Sequence, residues 1–329
     1  MILAIDQGSS KTEALIGDEN GVILGAGSAE GACHFLVGMD KAMKAARSAA
    51  EAAMRSAGVG PGSIGRVSAG MAGANWPNEF EMLTRELEAL FHPAKATVYN
   101  DCVPALYAGS QSANAVILCA GTSFNAAVLK KRKVVWIYNN YTESVDEGGK
   151  SLATRAMESV FRSMTGMGPQ TSLKERALEF FAYDDMLSML LDFSRGCMRK
   201  PLKDFAVVVD EEAMCGDEVA LNAQYEFGLS VSRYATAALK RYELVNEPAD
   251  IVLSGGIFKA RSVVMVDAIR TQVHRVAPKA RIVEALYEPV VGAYELALDP
   301  AGQAEWWPRI EETAERFSLV RFDDGGMQR

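Results

Sequence analysis

MILAIDQGSSKTEALIGDENGVILGAG, residues 1–27, predicts three strands joined by two turns. Its apolar runs are separated by the polar glycine turn QGSSK and the tight turn ENG, the pattern of a meander. Residues 114–138 repeat the plan with NAVILCA, GTS, FNAAVLK, KRK and VVWIY. Two such meanders about a hundred residues apart favour two related lobes over a solenoid. The alternative is that two ordinary hairpins resemble each other by chance.

Helices and strands alternate outside the meanders. Further strands are predicted at RVSAGMAG, KATVYN, ADIVLSGG and ARIVEAL. Helices are predicted over 40–57, 79–90, 151–164, 173–181, 184–193, 219–242 and 262–274, and at VVGAYELAL. This alternation extends each sheet with parallel strands. We therefore expect an α/β fold with two lobes, each a mixed sheet with helices, around a central cleft.

The lobe boundaries follow from the same pattern. The N-terminal lobe is predicted over 1–114 and is joined by the helix near 290–298. The larger C-terminal lobe is predicted over 115–289. Residues 300–329 turn acidic and polar, with an amphipathic piece over 304–317, and are interpreted as an appendage.

Composition excludes several classes of protein. A chain of 329 residues exceeds what one hydrophobic core usually supports. Its net charge of −8 gives little driving force for counterion release, so we exclude nucleic acid as the main partner. The five cysteines form no CxxC pair, and no apolar run reaches membrane-spanning length. We expect a cytoplasmic protein with reduced thiols and no membrane association.

Two glycine turns are candidate phosphate sites. In DQGSSKT, residues 6–12, small side chains let backbone N–H groups approach an anion without obstruction by Cβ. AGTSFN, residues 120–125, has a similar sequence to that turn. If the two lobes face each other across a cleft, both turns could bind the same polyphosphate. Asp6 is placed to serve a magnesium ion, which keeps several waters and contacts few carboxylates. The alternative for each turn is an ordinary hairpin.

Asn100 and Asp101 follow the strand KATVY and precede the helical run VPALYAG. In one interpretation Asp101 is only the N-cap of that helix. In the other it is also a general base, since open α/β sheets bind ligands at the carboxyl ends of their strands. The residues themselves leave both interpretations open.

Two further motifs have both a structural and a functional interpretation. DEGGK, residues 146–150, can cap the following helix or bind sugar hydroxyls. LSGGIF, residues 253–258, can be a simple turn or allow the flat approach of a ring such as adenine. The GxGxxG match at 60–65 follows a helix instead of a strand, and GGKS at 148–151 lacks the earlier glycine of a P-loop. Neither match supports a Rossmann or P-loop enzyme.

Taken in order, these pieces resemble the N-acetylglucosamine kinase and BadF/BadG/BcrA/BcrD-type ATPase family of the actin-like ATPase superfamily, over about residues 1–298. The matching motifs are DQGSSKT, CHFLVGMD (33–40), AGMAG (69–73), NDC (100–102), GTSFN (121–125), DEGG (146–149), SGGIF (254–258) and EPVVGA (288–293). The resemblance implies two ribonuclease-H-like lobes, ATP with Mg²⁺ in the cleft, a small sugar as substrate and commonly a homodimer.

The resemblance also assigns roles to residues. It makes Asp101 the catalytic base. The phosphate-binding residues would be Gly8, Ser9, Ser10, Lys11, Thr12, Gly121 and Thr122. Gly255 and Gly256 would lie beside the adenosine. The substrate-binding residues would be His34, Asn100, Asn125, Asp146 and Glu147.

Departures from the family pattern concern the substrate. Cys33 stands where the hexosamine kinases have an asparagine, and Ser123 replaces the second glycine of GTGS. The GWG ahead of the acidic motif is absent, and Asn139, Asn140 and Tyr141 stand in its vicinity. We therefore expect an ATP-dependent kinase acting on a hydroxyl of a sugar or amino sugar. The alternatives are an ATPase that activates a reductase partner, which would need an iron-sulfur cluster held by cysteines, and a sugar or nucleotide sensor without catalysis.

Overall fold

The computed structural model describes residues 1–141, 148–298 and 306–320. It contains two five-stranded sheets of the same plan. The first has the order β3-β2-β1-β4-β5 and consists of β1 (Ile2–Gln7), β2 (Lys11–Gly17), β3 (Ile23–Glu30), β4 (Arg66–Met71) and β5 (Lys95–Asn100). The second has the order β10-β9-β6-β7-β8 and consists of β6 (Ala115–Ala120), β7 (Phe124–Lys130), β8 (Lys133–Ile137), β9 (Ala249–Ser254) and β10 (Ala280–Glu284).

The two sheets also agree in strand direction. β1 is antiparallel to β2 and parallel to β4, while β6 is antiparallel to β7 and parallel to β9. The outer strands β5 and β10 extend each sheet in parallel. The prediction of two lobes, each with a mixed sheet that starts from a meander, is confirmed.

Helices cover both sheets. The N-terminal lobe has α1 (His34–Val37), α2 (Met39–Ala57), α3 (Pro77–Leu90) and α4 (Cys102–Gly109). The remaining helices are α5 (Gly148–Met164), α6 (Leu173–Phe181), α7 (Met186–Arg195), α8 (Ala206–Met214), α9 (Glu218–Arg241), α10 (Val264–Val276), α11 (Pro289–Leu298) and α12 (Trp307–Ala314). None of the described helices is both long and apolar enough to span a lipid bilayer.

Several helices differ from the sequence-based prediction, among them α5, α7 and α8. α7 begins two residues late because Asp185 is its N-cap and accepts hydrogen bonds from two backbone amides of the first turn. α5 begins at Gly148, three residues before the predicted start at residue 151. α8 was not predicted, because its run AVVV is typical of a strand; the burial of Val208 and Val209 in the core of the C-terminal lobe outweighs that preference.

Small residues allow α2 to lie very close to the first sheet. Its buried face is built mainly of alanines, including Ala49 and Ala53. A Cβ on Gly25 of β3 would come within 2.5 Å of the Ala57 nitrogen. This close packing holds the meander, and with it the turn between β1 and β2, in a fixed position.

Two crossing helices join the lobes. The chain leaves the N-terminal lobe through α4 and returns through α11, which packs on α4, β1 and β4. A buried ion pair of 2.6 Å joins Arg132, in the turn between β7 and β8, to Glu295 of α11. Gly292 of α11 has no room for a Cβ, which would overlap the Pro104 carbonyl oxygen. The helical connection between the lobes is therefore tightly packed.

The C-terminal segment 306–320 is more than a surface appendage. Ile310, Ala314 and Leu319 are buried in one apolar cluster with residues of β1, β2 and α11. The Thr313 hydroxyl accepts a hydrogen bond of 3.0 Å from the backbone amide of Ile23. Its helix, α12, covers only part of the amphipathic piece predicted over 304–317. The segment thus completes the core on one face of the first sheet.

Replacing Ile310 by alanine is expected to lower the free energy of unfolding by about 3 kcal/mol, because the side chain is fully buried and its loss leaves a cavity. Urea denaturation followed by circular dichroism would measure the change. The matched control is Glu312→Ala on the exposed face of α12, which should change stability by no more than about 0.5 kcal/mol. Equal effects of the two variants would contradict a structural role for this segment.

Candidate active site

The turn between β1 and β2 is held by backbone hydrogen bonds. The Gly8 amide donates to the Lys11 carbonyl at 2.9 Å, and the Gly8 carbonyl accepts from the Ala32 amide at 3.0 Å. Gly31 lies directly behind the turn, where a Cβ would overlap the backbone of Ser10. The first turn therefore has a fixed backbone whose outer side faces solvent.

Side chains of the first turn differ in where they point. Ser9 and Ser10 are exposed. Lys11 is also exposed and forms an ion pair with Glu13 at 2.6 Å. The Thr12 hydroxyl is buried and donates to the Glu30 carbonyl at 2.8 Å, which ties β2 to β3. The structure thus places Ser9, Ser10 and Lys11 at the turn surface and Thr12 in the sheet.

The second turn is also closed by a backbone hydrogen bond, and it meets the first. The Gly121 amide donates to the Ser123 carbonyl at 2.9 Å, and a Cβ on Gly121 would face open space. Thr122 is exposed, and its hydroxyl lies 3.4 Å from that of Ser10. The structure brings the two predicted glycine turns, one from each lobe, into direct contact.

Glycines surround the second turn. The Gly149 amide at the start of α5 donates to the Gly121 carbonyl at 2.9 Å. Gly148 has a φ of 54°, and a Cβ there would lie 2.6 Å from the Ser123 oxygen. Because a helix N-terminus carries partial positive charge, the start of α5 favours an anion beside this turn.

A third glycine segment follows β9. Gly255 has a φ of 102°, and a Cβ would overlap the Ala120 carbonyl oxygen at the end of β6. A Cβ on Gly256 would meet nothing within 4 Å. The predicted adenosine-side glycines therefore have different roles: Gly255 allows close packing against the second turn, and Gly256 borders open space.

One group of residues that borders this region was not predicted from the sequence. A Cβ on Gly149 would lie 3.1 Å from the Lys203 carbonyl oxygen and 3.3 Å from the Ile257 side chain. Lys203 belongs to a short 3-10 turn, Leu202–Phe205, between helices. Ile257 is part of the motif SGGIF, which could have identified it. Nothing in the sequence around 202–205 distinguishes that turn from an ordinary loop.

Asp101 lies at the carboxyl end of β5, directly before α4. It occupies the N-cap position, but its side chain makes no capping hydrogen bond. The Cys102 amide donates instead to Asn100 Oδ1 at 3.1 Å. The interpretation of Asp101 as a side-chain cap of this helix is therefore wrong, and its carboxylate remains available for another role.

Burial raises the pKa of Asp101 to about 6, while the nearby backbone amides of Cys102 and of Asp101 itself act in the opposite direction. The Asp101 carboxylate also contributes to the raised pKa of Cys33, although burial of that thiol has the larger effect. Cys33 donates from Sγ to the Ala72 carbonyl at 3.3 Å. A partly buried carboxylate with a pKa near neutrality is suited to general base catalysis.

Asp6 is the second-last residue of β1 and is partly buried. Its Oδ1 lies 3.2 Å from the position of a Cβ on Gly70. No group of three or more His, Cys, Asp or Glu side chains within residues 1–141, 148–298 and 306–320 has the geometry of a metal site. One or two carboxylates with waters and substrate phosphates are enough to bind Mg²⁺, so Asp6 stays the predicted residue for this ion.

The predicted substrate-binding residues are partly brought together. Asn100 is 2% exposed and bonds to Asn125, whose Nδ2 donates to Asn100 Oδ1 at 3.1 Å. His34 is buried, and its Nδ1 has no hydrogen-bond partner in the described part of the chain. Asp146 and Glu147 lie outside the described residues.

Two asparagines at this position were not predicted. Asn75 Oδ1 accepts from Asn100 Nδ2 at 3.0 Å, and Asn139 Oδ1 accepts from Asn125 Nδ2 at 2.8 Å. Asn139 follows β8 and was noticed only as part of the segment that replaces GWG. No motif marks Asn75, since its partner lies 25 residues further along the chain.

Solved structures with a similar fold include several sugar kinases. A candidate N-acetylglucosamine kinase from Porphyromonas gingivalis is 18% identical with a TM-score of 0.67, covering 91% of this chain and 99% of its own. A candidate N-acetylglucosamine kinase from Chromobacterium violaceum is 17% identical with a TM-score of 0.63, covering 90% and 98%. A ROK family glucokinase from Streptomyces griseus, solved with glucose and AMPPNP, is 18% identical with a TM-score of 0.57, covering 90% and 98%.

At these identities the structural likeness shows the fold, which is that of the actin-like ATPase and ROK sugar kinase structures. No curated protein matches the sequence significantly. A family model matches residues 3–297. The match therefore covers both sheets and leaves out the C-terminal segment 306–320. The chain therefore belongs to the BadF/BadG/BcrA/BcrD ATPase family.

Proposed function

We propose that this protein is an ATP-dependent kinase that phosphorylates a hydroxyl of a small sugar or amino sugar. The observation that carries the proposal is the contact between the two glycine turns, with Ser10 and Thr122 hydroxyls 3.4 Å apart. Two turns from opposite lobes can bind one polyphosphate only if they converge. Glucose and AMPPNP bound to the glucokinase of the same fold support the proposal.

In the proposed reaction the two turns and the start of α5 bind the phosphates of ATP. Asp6 would hold Mg²⁺ through water, and the ion would neutralise charge on the phosphates when bound. The exposed hydroxyls of Ser9, Ser10 and Thr122 would donate hydrogen bonds to phosphate oxygens. Gly256 and Ile257 would border the adenosine, and closure of the lobes would exclude water.

Asp101 would orient the acceptor hydroxyl and accept its proton. The acceptor oxygen forms a bond to the γ-phosphorus as the bond between that phosphorus and the bridging oxygen breaks, and ADP leaves. The proton moves to the Asp101 carboxylate, so charge does not build up on the acceptor. This role needs the side chain to be free of the helix cap, as it is.

A screen of amino sugars, neutral sugars and polyols, read as ADP release, tests this function. We expect at least one sugar to raise ADP release well above the rate with water alone, with a phosphorylated product found by mass spectrometry. ATP hydrolysis without any phosphorylated acceptor would contradict the kinase and favour an ATPase that activates a partner. Iron content measured on the same sample would then test for a cluster.

Phosphoryl transfer is expected to fall about tenfold for each pH unit below the pKa of Asp101, which burial raises from 3.8 to about 6. A general base acts only when deprotonated, so a raised pKa moves the loss of activity toward neutral pH. The measurement is kcat/KM between about pH 4 and pH 8, with circular dichroism at each pH to confirm folding. Activity that stays constant down to about pH 4 would contradict Asp101 as the base.

A further inference from the structure

Asn100 accepts a hydrogen bond of the kind that a capping side chain accepts, from the backbone amide two residues further along the chain. Its Oδ1 accepts from the Cys102 amide at 3.1 Å, so the first turn of α4 is capped from one position before Asp101. Its Nδ2 donates to the Ala74 carbonyl at 3.1 Å and to Asn75 Oδ1 at 3.0 Å. With both Nδ2 protons bound on the side of the N-terminal lobe, the Asn100 oxygen must face Cys102.

The C-terminal lobe fixes the same amide from the other side. Asn125 Oδ1 accepts from the backbone amides of Ala126 and Asn139, both at 2.8 Å. Its Nδ2 must then point away from them, and it donates to Asn100 Oδ1 at 3.1 Å and Asn139 Oδ1 at 2.8 Å. We call Asn75, Asn100, Asn125 and Asn139 the amide chain; it runs from one lobe to the other beside Asp101.

We propose that Asn100 is a positioning residue that caps α4 in place of Asp101 and so keeps the Asp101 carboxylate directed at the acceptor, and that the rest of the amide chain holds Asn100 in this orientation. The identity of the acceptor rests on the proposed function, but the hydrogen-bond arrangement does not. Because Asn125 and Asn139 belong to the C-terminal lobe, this orientation depends on contact between the lobes.

Removing Asn100 Oδ1 would leave the Cys102 amide without its partner inside a buried region. Asp101 is the nearest residue with the usual N-cap chemistry, and its carboxylate already lies close enough to that amide for the amide to lower its pKa. The carboxylate would turn to the amide and away from the acceptor. With asparagine at position 100, one residue caps the helix and the next residue, Asp101, keeps its carboxylate for the reaction.

The surroundings of Asp101 make this change measurable. The thiols of Cys33 and Cys102 interact with Asp101, and burial raises the pKa of both thiols. Neutral thiols add no charge beside the carboxylate, so a change in its hydrogen bonds is expected to shift the pKa of Asp101. With Asn100 removed, the Cys102 amide, which already lowers the pKa of Asp101, would donate its hydrogen bond to this carboxylate alone and lower the pKa further.

The decisive variant is Asn100→Ala, and the pKa of Asp101 is read from pH titration of its ¹³C-labelled carboxyl by NMR, assigned with Asp101→Asn. We expect the pKa to fall by about 1 unit or more. In the kinase assay kcat should fall about 10- to 100-fold, with the acidic limb of the pH profile moved to lower pH. An unchanged pKa in the folded variant would overturn the proposal.

Asn114→Ala is the matched control, because Asn114 bonds to Pro248 and Lys131 at the end of β6 away from the turns. It should change neither the pKa of Asp101 nor kcat. If Asn100→Ala does not fold, Asn125→Ala retains the Asn100 bonds to Ala74 and Asn75 and should lower the same pKa by a smaller amount. An unchanged or raised pKa in that variant would overturn the proposal.

The NMR titration needs no substrate, so the two proposals can fail separately. If wild-type protein phosphorylates no acceptor but Asn100→Ala lowers the pKa of Asp101, the positioning role stands and the kinase function fails. If the kinase is active and the pKa does not move, the positioning role is wrong and the kinase function stands.

Discussion

Replacement of Asp101 by asparagine is expected to lower kcat by about a thousandfold, the usual contribution of a positioned general base. Asparagine has nearly the shape of aspartate but cannot accept the acceptor's proton. Binding of ATP should stay within about twofold of the wild-type affinity, because Asp101 lies at the end of β5 and outside both glycine turns. Steady-state kinetics and calorimetry with ATP and Mg²⁺ would measure the two effects.

The same replacement should make the protein more stable. Burial raises the pKa of Asp101 in the folded protein above its unfolded value of 3.8. Below about pH 4 the Asp101 carboxyl is neutral and does not lower the stability of the folded protein. As the pH rises through about 6 the buried carboxyl becomes charged, and this stability is lost. At pH 7 we expect Asp101→Asn to raise the free energy of unfolding by about 1–2 kcal/mol, less than the full shift because the side chain is only partly buried.

Urea denaturation at two pH values tests the sign of this effect. The gain in stability should be present near pH 7 and should vanish near pH 4, where the wild-type carboxyl is protonated as well. Asp40→Asn, on the exposed start of α2, is the control and should show no such difference. A variant that lost stability and kept its activity would assign Asp101 a structural role instead.

The strands were predictable because the signals that mark them are local. Alternating apolar runs and glycine turns mark β1 to β3 and β6 to β8, and the repeat of the plan predicted the two lobes. The helix α8 and the packing of 306–320 were not predictable in the same way. In both cases the outcome depends on tertiary burial, of Val209 in one and of Ile310 in the other, which a single sequence does not reveal.

The candidate site was predictable where it consists of turns. Glycine and hydroxyl residues at the ends of strands indicated both glycine turns, whose contact the structure shows at Ser10 and Thr122. Thr12 was included with the first turn, but as a strand residue its side chain points into the sheet. The roles of Asn75 and Asn139 come from hydrogen bonds between segments distant in sequence, so no spacing rule could have found them.

Two adjacent glycines offer a matched test of the adenosine side. Gly255→Ala is expected to lower the free energy of unfolding by about 3 kcal/mol or more. Its φ of 102° is a region that other residues rarely adopt, and the new Cβ would overlap the backbone carbonyl of Ala120. To relieve the overlap, β9 must move away from the end of β6, where the second phosphate turn begins. Affinity for ATP should fall together with stability.

Gly256→Ala separates these two effects. A Cβ at 256 meets no atom within 4 Å, so stability should stay within about 0.5 kcal/mol of wild type. If the adenosine approaches this backbone closely, the methyl group should weaken ATP binding about tenfold even though the fold is intact, because it would occupy space that the ligand needs. Calorimetry with ATP and with inorganic triphosphate distinguishes the cause: loss with ATP alone indicates a clash at the adenosine. Equal binding of ATP by Gly256→Ala and wild type would mean that the nucleoside lies elsewhere, and the assignment of this segment would have to be abandoned.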